Sequence, residues 1–325
     1  MAGSPAPAYV LGIDLGTTSV KAALLVEAEQ GQVVAGSCSR ETQAHASSLE
    51  AGPQGMEQNV WRIIRALNEC LAALPQQQLQ KVSHIGISGQ MHGIVFWKKD
   101  KGLSAKALYI SRLRVGQDSK VKRSAHEVLN ISTSAQLTVS MPPGFQPPET
   151  PDPSSAITYF PYFNGDYLAV AASLNGGNVL ATFVDMVSRW TEELGLQVQE
   201  SAIYMKIIEA ALDQNDSKLS IHPTVFGERH LPQQLASVAN IAVSDLSLGH
   251  VTRALCRGIV ENLCSMLPVQ RLMETGVRRV LGSGSALARN EVLRQEVERI
   301  FPFPVVYGKD VDAAVGAAMV MFHRK

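Results

Sequence analysis

A strand that ends in an acidic residue and turns through glycine and threonine presents phosphate-binding groups, and residues 12–19, Gly-Ile-Asp-Leu-Gly-Thr-Thr-Ser, have that form. Clustered N–H groups and hydroxyls around Gly16, Thr17, Thr18 and Ser19 suit phosphate oxygens. The carboxylate of Asp14 at the strand tip suits a hydrated Mg²⁺, which keeps several waters and offsets phosphate charge. A plain hairpin with a strand-end Asp is the bland alternative. A second turn of the same kind, Asn130-Ile131-Ser132-Thr133-Ser134, lies further along. Two such turns, one from each half of a protein, would clamp a polyphosphate. No Walker A run occurs, which excludes a P-loop mechanism. Gly282-Ser283-Gly284-Ser285-Ala286 follows an apolar run, but Leu287 stands where a dinucleotide fingerprint needs its third glycine. Such a turn suits close approach to an adenosine, with Asn290 both capping the next helix and able to hydrogen-bond the nucleotide. Gly176-Gly177 could serve the same nucleotide; simple turn geometry is the alternative for both glycine groups. Ser88-Gly89-Gln90-Met91-His92-Gly93 offers Gln90 and His92 to a polyol. The other histidines, and Glu228-Arg229-His230, show no metal or nucleophile spacing and are taken as structural.

The elements that must position these turns form two similar blocks. Apolar runs at 9–14, 19–26 and 32–39 predict three strands. Met56, Val60, Ile63, Ile64, Leu67, Cys70 and Leu71 recur at helical spacing, and 82–88 reads as a fourth strand. The second block has strands at 128–131, 136–140 and 167–173, then helices near 177–194 and 202–213. Val251, Leu255, Ile259, Leu263 and Met266 mark a long helix. A strand at 277–281, a helix at 291–300, a strand at 305–307 and a helix at 311–322 follow. A repeat of this kind predicts an α/β protein of two similar domains facing one cleft. The first block stops one helix-strand-helix short of the second. In its place, residues 98–123 carry nine Lys/Arg against two Asp, with no sustained periodicity, and are expected to be solvated and irregular. The expected division is 1–97, an incomplete first domain; 98–127, a basic joining segment; and 128–325, a complete second domain.

The 325 residues are 46% hydrophobic and 18% charged with zero net charge, an ordinary globular composition that points to neither a nucleic-acid nor an anionic-membrane partner. Four cysteines without zinc spacing are expected to be reduced core thiols. With no basic and apolar leader and no long apolar run, the expected location is cytoplasmic.

Together these motifs resemble the FGGY carbohydrate kinases, of the actin-like ATPase superfamily. GIDLGTTSVKAALL is similar to that family's first phosphate motif, LNISTS to its second, SGQMHG to the substrate motif of its ketose kinases, GSGSALARNEVLRQ to its adenosine motif, and DVDAAVGAAMV to its final helix. The strings SGQMHGIVFW, SLNGGNVLATFV and PTVFGERH most resemble members acting on sedoheptulose. The resemblance implies two actin-like (RNase H-like) domains facing a nucleotide cleft, the first one incomplete, and transfer of the γ-phosphoryl of ATP to the 7-hydroxyl of that ketose. It further implies that Asp14 binds Mg²⁺ through water. Gly16, Thr17, Thr18 and Ser19, with Ser132, Thr133 and Ser134, would handle phosphates; Gly177, Gly284, Ser285 and Asn290 would hold the nucleotide; Gln90, Met91 and His92 would line the sugar site. The family's general base sits in a Gly-Asp-x-Gln stretch before the second phosphate motif, and no such stretch is present. Its nearest look-alike, Gly116-Gln117-Asp118, is scrambled in order, and Asp118 is not expected to act as base. Impaired catalysis is therefore expected. The alternatives are a non-catalytic nucleotide-binding variant, or an actin-like ATPase with a protein partner, for which SGQMHG would have no role.

Overall fold

In chain order the first elements are β1 (Tyr9–Leu15), β2 (Ser19–Ala28), β3 (Gly31–Glu41), α1 (Val60–Ala73), α2 (Gln76–Leu79) and β4 (Val82–Gly89). There follow β5 (His126–Ile131), β6 (Ala135–Ser140), β7 (Ile157–Pro161), β8 (Tyr167–Ser173), α3 (Gly177–Glu193), α4 (Glu200–Ala211), β9 (Ser220–His222) and β10 (Ser237–Ala239). The chain ends with α5 (Leu248–Met266), α6 (Val269–Glu274), β11 (Arg279–Ser283), α7 (Ser285–Arg289), α8 (Glu291–Ile300), β12 (Val305–Tyr307) and α9 (Ala313–Phe322). The computed structural model describes residues 8–16, 18–28, 31–44, 58–89, 126–150, 152–162, 165–214, 218–307 and 313–322. They divide into two units: residues up to 89 with 313–322, and residues 126–307.

The first unit is a sheet in the order β3-β2-β1-β4, with β4 parallel to β1 and the other pairs antiparallel. Val20, Ala22, Ala23, Leu24 and Leu25 make β2 almost continuously buried, as a strand covered on both faces must be. Strand alternation divides the side chains. Leu11, Ile13, Ala22 and Leu24 pack with Ala66 and Cys70 of α1, whereas Val10, Ala23 and Leu25 pack with Ala314, Val315 and Ala318 of α9. Asn59 caps α1 by accepting from the N–H groups of Trp61 (3.1 Å) and Arg62 (3.3 Å). Met56, expected in this helix, lies outside the described residues.

The position of α9 differs from the expected division, which placed the final helix with 128–325. Its sequence, AAVGAAMVMF, is apolar on every side, so it must be covered on one face by a sheet. Gly12 of β1 and Gly86 of β4 admit it: a Cβ on either would overlap the backbone carbonyl of Ala314 or Ala317. The helix closes the first unit's sheet, not the second's.

The second unit's sheet runs β12-β11-β5-β6-β8-β7. Its run β8-β6-β5-β11 repeats the order and pairing senses of β3-β2-β1-β4, and the expected duplication is present. Beyond β11 lies β12; beyond β4 no strand lies among the described residues, so the first sheet is the shorter one. β7 was not anticipated. It is an edge strand ending in Pro161, where a missing N–H costs no ladder bond. Ala254, Ile259, Val260 and Leu263 of α5 join Leu129, Ile131 and Leu137 of the sheet in the main core, each such Leu or Ile stabilising the fold by about 1.5–3 kcal/mol. No helix of the described residues is long and apolar enough to cross a membrane.

Candidate nucleotide and phosphate site

Within the second unit, three separate turns are bonded to one another at the end of β5. Residues 132–134 form a tight hairpin in which the Ser132 N–H donates to the Ser134 carbonyl (2.9 Å). The first N–H groups of α3 close on it: Gly177 donates to the Ser132 carbonyl at 2.7 Å and Asn178 to the Thr133 carbonyl at 3.0 Å. From the other side the Ser285 N–H donates to Ser132 Oγ at 3.2 Å, and Asn130 Nδ2 donates to Ser283 Oγ at 3.1 Å. Ser132 is thus the hub of segments 130–134, 176–178 and 283–286.

Two glycines make this convergence possible. A Cβ on Gly177 would lie 2.5 Å from the Ser132 carbonyl oxygen and 2.8 Å from Ala286 Cβ. Gly284 has φ +106°, and a Cβ there would overlap the Ile131 carbonyl. The structure thus places Ser132, Thr133, Ser134, Gly177, Gly284 and Ser285 together. The Gly177 N–H is bonded to the Ser132 carbonyl. Asn290 was expected to hold the nucleotide as well as to cap a helix. It is fully buried, its Oδ1 accepting from the Leu293 N–H (3.0 Å) and its Nδ2 donating to Cys256 Sγ (3.6 Å). As expected it caps α8, and so anchors the short α7 that carries Ser285.

Beside this hub Tyr307 packs under the Arg294 guanidinium, 5.8 Å from its ring centroid, and donates to the Arg294 carbonyl at 3.2 Å. Burial raises its phenol well above the ordinary range. Burial likewise pushes the Cys256 thiol up to about 12, and none of the four cysteines is in a disulfide.

In the first unit the Gly16 N–H donates to the Ser19 carbonyl (3.0 Å), and the Thr18 carbonyl accepts from the Thr42 N–H (2.8 Å). Thr18 is exposed at the tip and Asp14 is half-buried, paired across the sheet with Lys21 on β2 and Ser88 on β4. Because β4 runs parallel to β1, Gly89 stands beside Leu15, at the same end of the sheet as the Gly16 turn. Thr17, Gln90, Met91, His92 and Asp118 lie outside the described residues, as do residues 98–125. Among the described residues no group of three or more His, Cys, Asp or Glu converges as a metal cluster.

Sequence reasoning missed Asn178, Ser283 and Thr42. Asn178 and Ser283 adjoin the singled-out glycines, but Thr42 reaches Thr18 only through the β2–β3 pairing, which no local pattern announces.

The description "FGGY family of carbohydrate kinases, N-terminal domain" matches residues 9–133. Sedoheptulokinase of Mus musculus is 44% identical over 462 residues, spanning 97% of this chain and 97% of that protein. The chain belongs to the FGGY family of carbohydrate kinases. The Homo sapiens sedoheptulokinase is 43% identical over 464 residues, again spanning 97% of each chain. Among solved structures, gluconate kinase from Lactobacillus acidophilus superposes with a TM-score of 0.63 at 16% identity, covering 98% of this chain and 89% of that one, which supports the actin-like kinase fold. This FGGY kinase, of sedoheptulokinase type, is shorter than its relatives. The alignment runs over 462 residues while the chain has 325, so at least 137 aligned positions of the mouse protein face a gap.

Proposed function

We propose that this FGGY kinase binds MgATP and transfers its γ-phosphoryl group to the 7-hydroxyl of sedoheptulose, and that this chain does so slowly. The observation that carries the reading is the Ser132 hub, where a hydroxyl-rich turn is held rigidly by the two glycine segments expected to meet a nucleotide. Phosphoryl transfer depends mainly on positioning and on charge stabilisation, which a rigid turn of hydroxyls supports. Ser132, Thr133 and Ser134 would receive phosphate oxygens, and so would the turn of Gly16, Thr17, Thr18 and Ser19. Gly284 and Ser285 would border the adenosine. Gln90, Met91 and His92 would face the sugar.

Asp14 fits Mg²⁺ as a hard oxygen ligand, and water and phosphate oxygens would complete the shell. When bound, the ion supplies neutralisation of phosphate charge. The transfer forms a bond from the sugar oxygen to the γ-phosphorus and breaks the bond to the bridging oxygen. The hydroxyl proton must leave, and the Gly-Asp-x-Gln stretch that would take it is absent before Asn130. A positioned base contributes roughly 10²–10⁴ in rate. We place the missing positions between Gly93 and Asn130, where the motif order breaks, so part of the sugar-binding wall is lost with the base.

The same gap favours a second reading, a nucleotide-binding chain that does not turn over. Sedoheptulose-dependent ADP release, measured beside an Asp14→Ala control, separates the two. Release above the control supports a slow kinase; ATP binding without release supports the second reading. No ATP binding overturns both.

A further inference from the structure

We propose that Glu228 is a positioning residue for phosphate binding: its buried carboxylate sets the loop 173–177, which in turn holds the Ser132 turn. The inference rests on the nucleotide reading of that turn. Glu228 is only 1% exposed, and its partners are neutral donors. Its Oε1 accepts from Ser173 Oγ (2.6 Å), Asn175 Nδ2 (2.8 Å) and Asn262 Nδ2 (2.8 Å), and its Oε2 from the Leu174 N–H (3.0 Å). Asn175 is gripped a second time. Its Nδ2 donates to the Gly227 carbonyl (2.8 Å) and its Oδ1 accepts from the Phe226 N–H (3.2 Å). The neighbouring Arg229 donates to the Ala172 carbonyl at 2.9 Å.

A buried carboxylate carries a large desolvation penalty unless every lone pair is used, so a site that only needed filling would be better served by an apolar side chain. Here three of the four donors come from successive residues, Ser173, Leu174 and Asn175, at the point where β8 ends. The next two residues touch the phosphate turn directly. A Cβ on Gly176 would lie 2.7 Å from the Ser134 carbonyl oxygen, and the Gly177 N–H is bonded to Ser132. Asn262 ties the far side to α5, the most buried helix of the unit. A fully satisfied network of this kind specifies one backbone arrangement. The chain of contacts runs from α5 through Glu228 and the β8 terminus to Ser132.

Glu228→Gln keeps the volume and aims an NH₂ group at a donor whichever way the amide lies. In the full chain, two readouts decide. Hydrogen exchange at the Gly177 and Asn178 amides is expected to quicken about tenfold while the Leu137 amide in β6 stays protected. Affinities for ATP and ADP are expected to fall about tenfold, equivalent to about 1.4 kcal/mol, with adenosine affinity unchanged. Equal weakening of ATP, ADP and adenosine, or unchanged protection at Gly177, overturns the proposal. If Glu228→Gln does not fold, Ser173→Ala removes one donor only and is read by the same two measurements. Failure of the unsubstituted chain to bind any nucleotide would refute the reading of the site. Even then the exchange measurement still tests the link from Glu228 to the turn.

Discussion

Gly284 and Gly276 both have left-handed backbone, and the comparison of their alanine variants isolates the packing of the phosphate site. Gly276, φ +82°, has open space where a Cβ would go, so Gly276→Ala carries backbone strain alone, about 1–2 kcal/mol. Gly284, φ +106° and ψ +149°, lies in a region essentially reserved for glycine, and its Cβ would also overlap the Ile131 carbonyl. That carbonyl belongs to β5, between the Asn130 and Ser132 side chains that bond Ser283 and Ser285, and it cannot retreat without breaking the hub. Strain of about 1–3 kcal/mol plus overpacking of about 1–3 kcal/mol gives an expected loss of about 2–6 kcal/mol. Urea unfolding followed by fluorescence and circular dichroism measures both variants, at roughly 2–4 °C of melting temperature per kcal/mol if heat is used instead. Gly284→Ala should also lose nucleotide affinity, whereas Gly276→Ala should keep it. Equal midpoints for the two variants would refute the claim that close approach of backbones, and not φ alone, builds this site.

Asn290→Ala should cost about 1–2 kcal/mol through loss of the buried cap at the Leu293 N–H, and unchanged urea midpoints would contradict that. Gly12→Ala should destabilise the first unit by roughly 1–3 kcal/mol by forcing α9 off β1, with faster proteolytic release of the C-terminal residues; identical proteolysis would contradict the seating of α9. Because the Cys256 thiol rises from 9.0 to about 12 on folding, its contribution is full below pH 9 and is lost as pH climbs toward 12. Stability should therefore fall above pH 9, less steeply in Cys256→Ala, and equal slopes would show another group responsible.

Much of the second unit was legible because its patterns are local. The runs at 167–173 and 305–307 became strands with those boundaries, and Asn290 caps α8 as its spacing implies. The hidden features depend on distant partners. α9 follows the second block in sequence, yet its apolar surface packs on Val10, Ala23 and Leu25 beside Gly12 and Gly86, more than two hundred residues away. β7 sits in a proline-rich stretch and acquires strand structure only by pairing with β8. Of the site, the hydroxyl-rich turns were recognisable from composition. Glu228, taken as structural, was not tied to the site, because no local pattern links it to the end of β8 until its four donors are seen.

The most direct measurement is the rate of ADP release at saturating MgATP, with and without sedoheptulose. A sedoheptulose-dependent rate well below about 1 s⁻¹ is expected, since the Ser132 turn is assembled but the sequence has no Gly-Asp-x-Gln stretch to supply a base. Sedoheptulose-dependent turnover in the ordinary enzyme range of about 1–10³ s⁻¹ would contradict it.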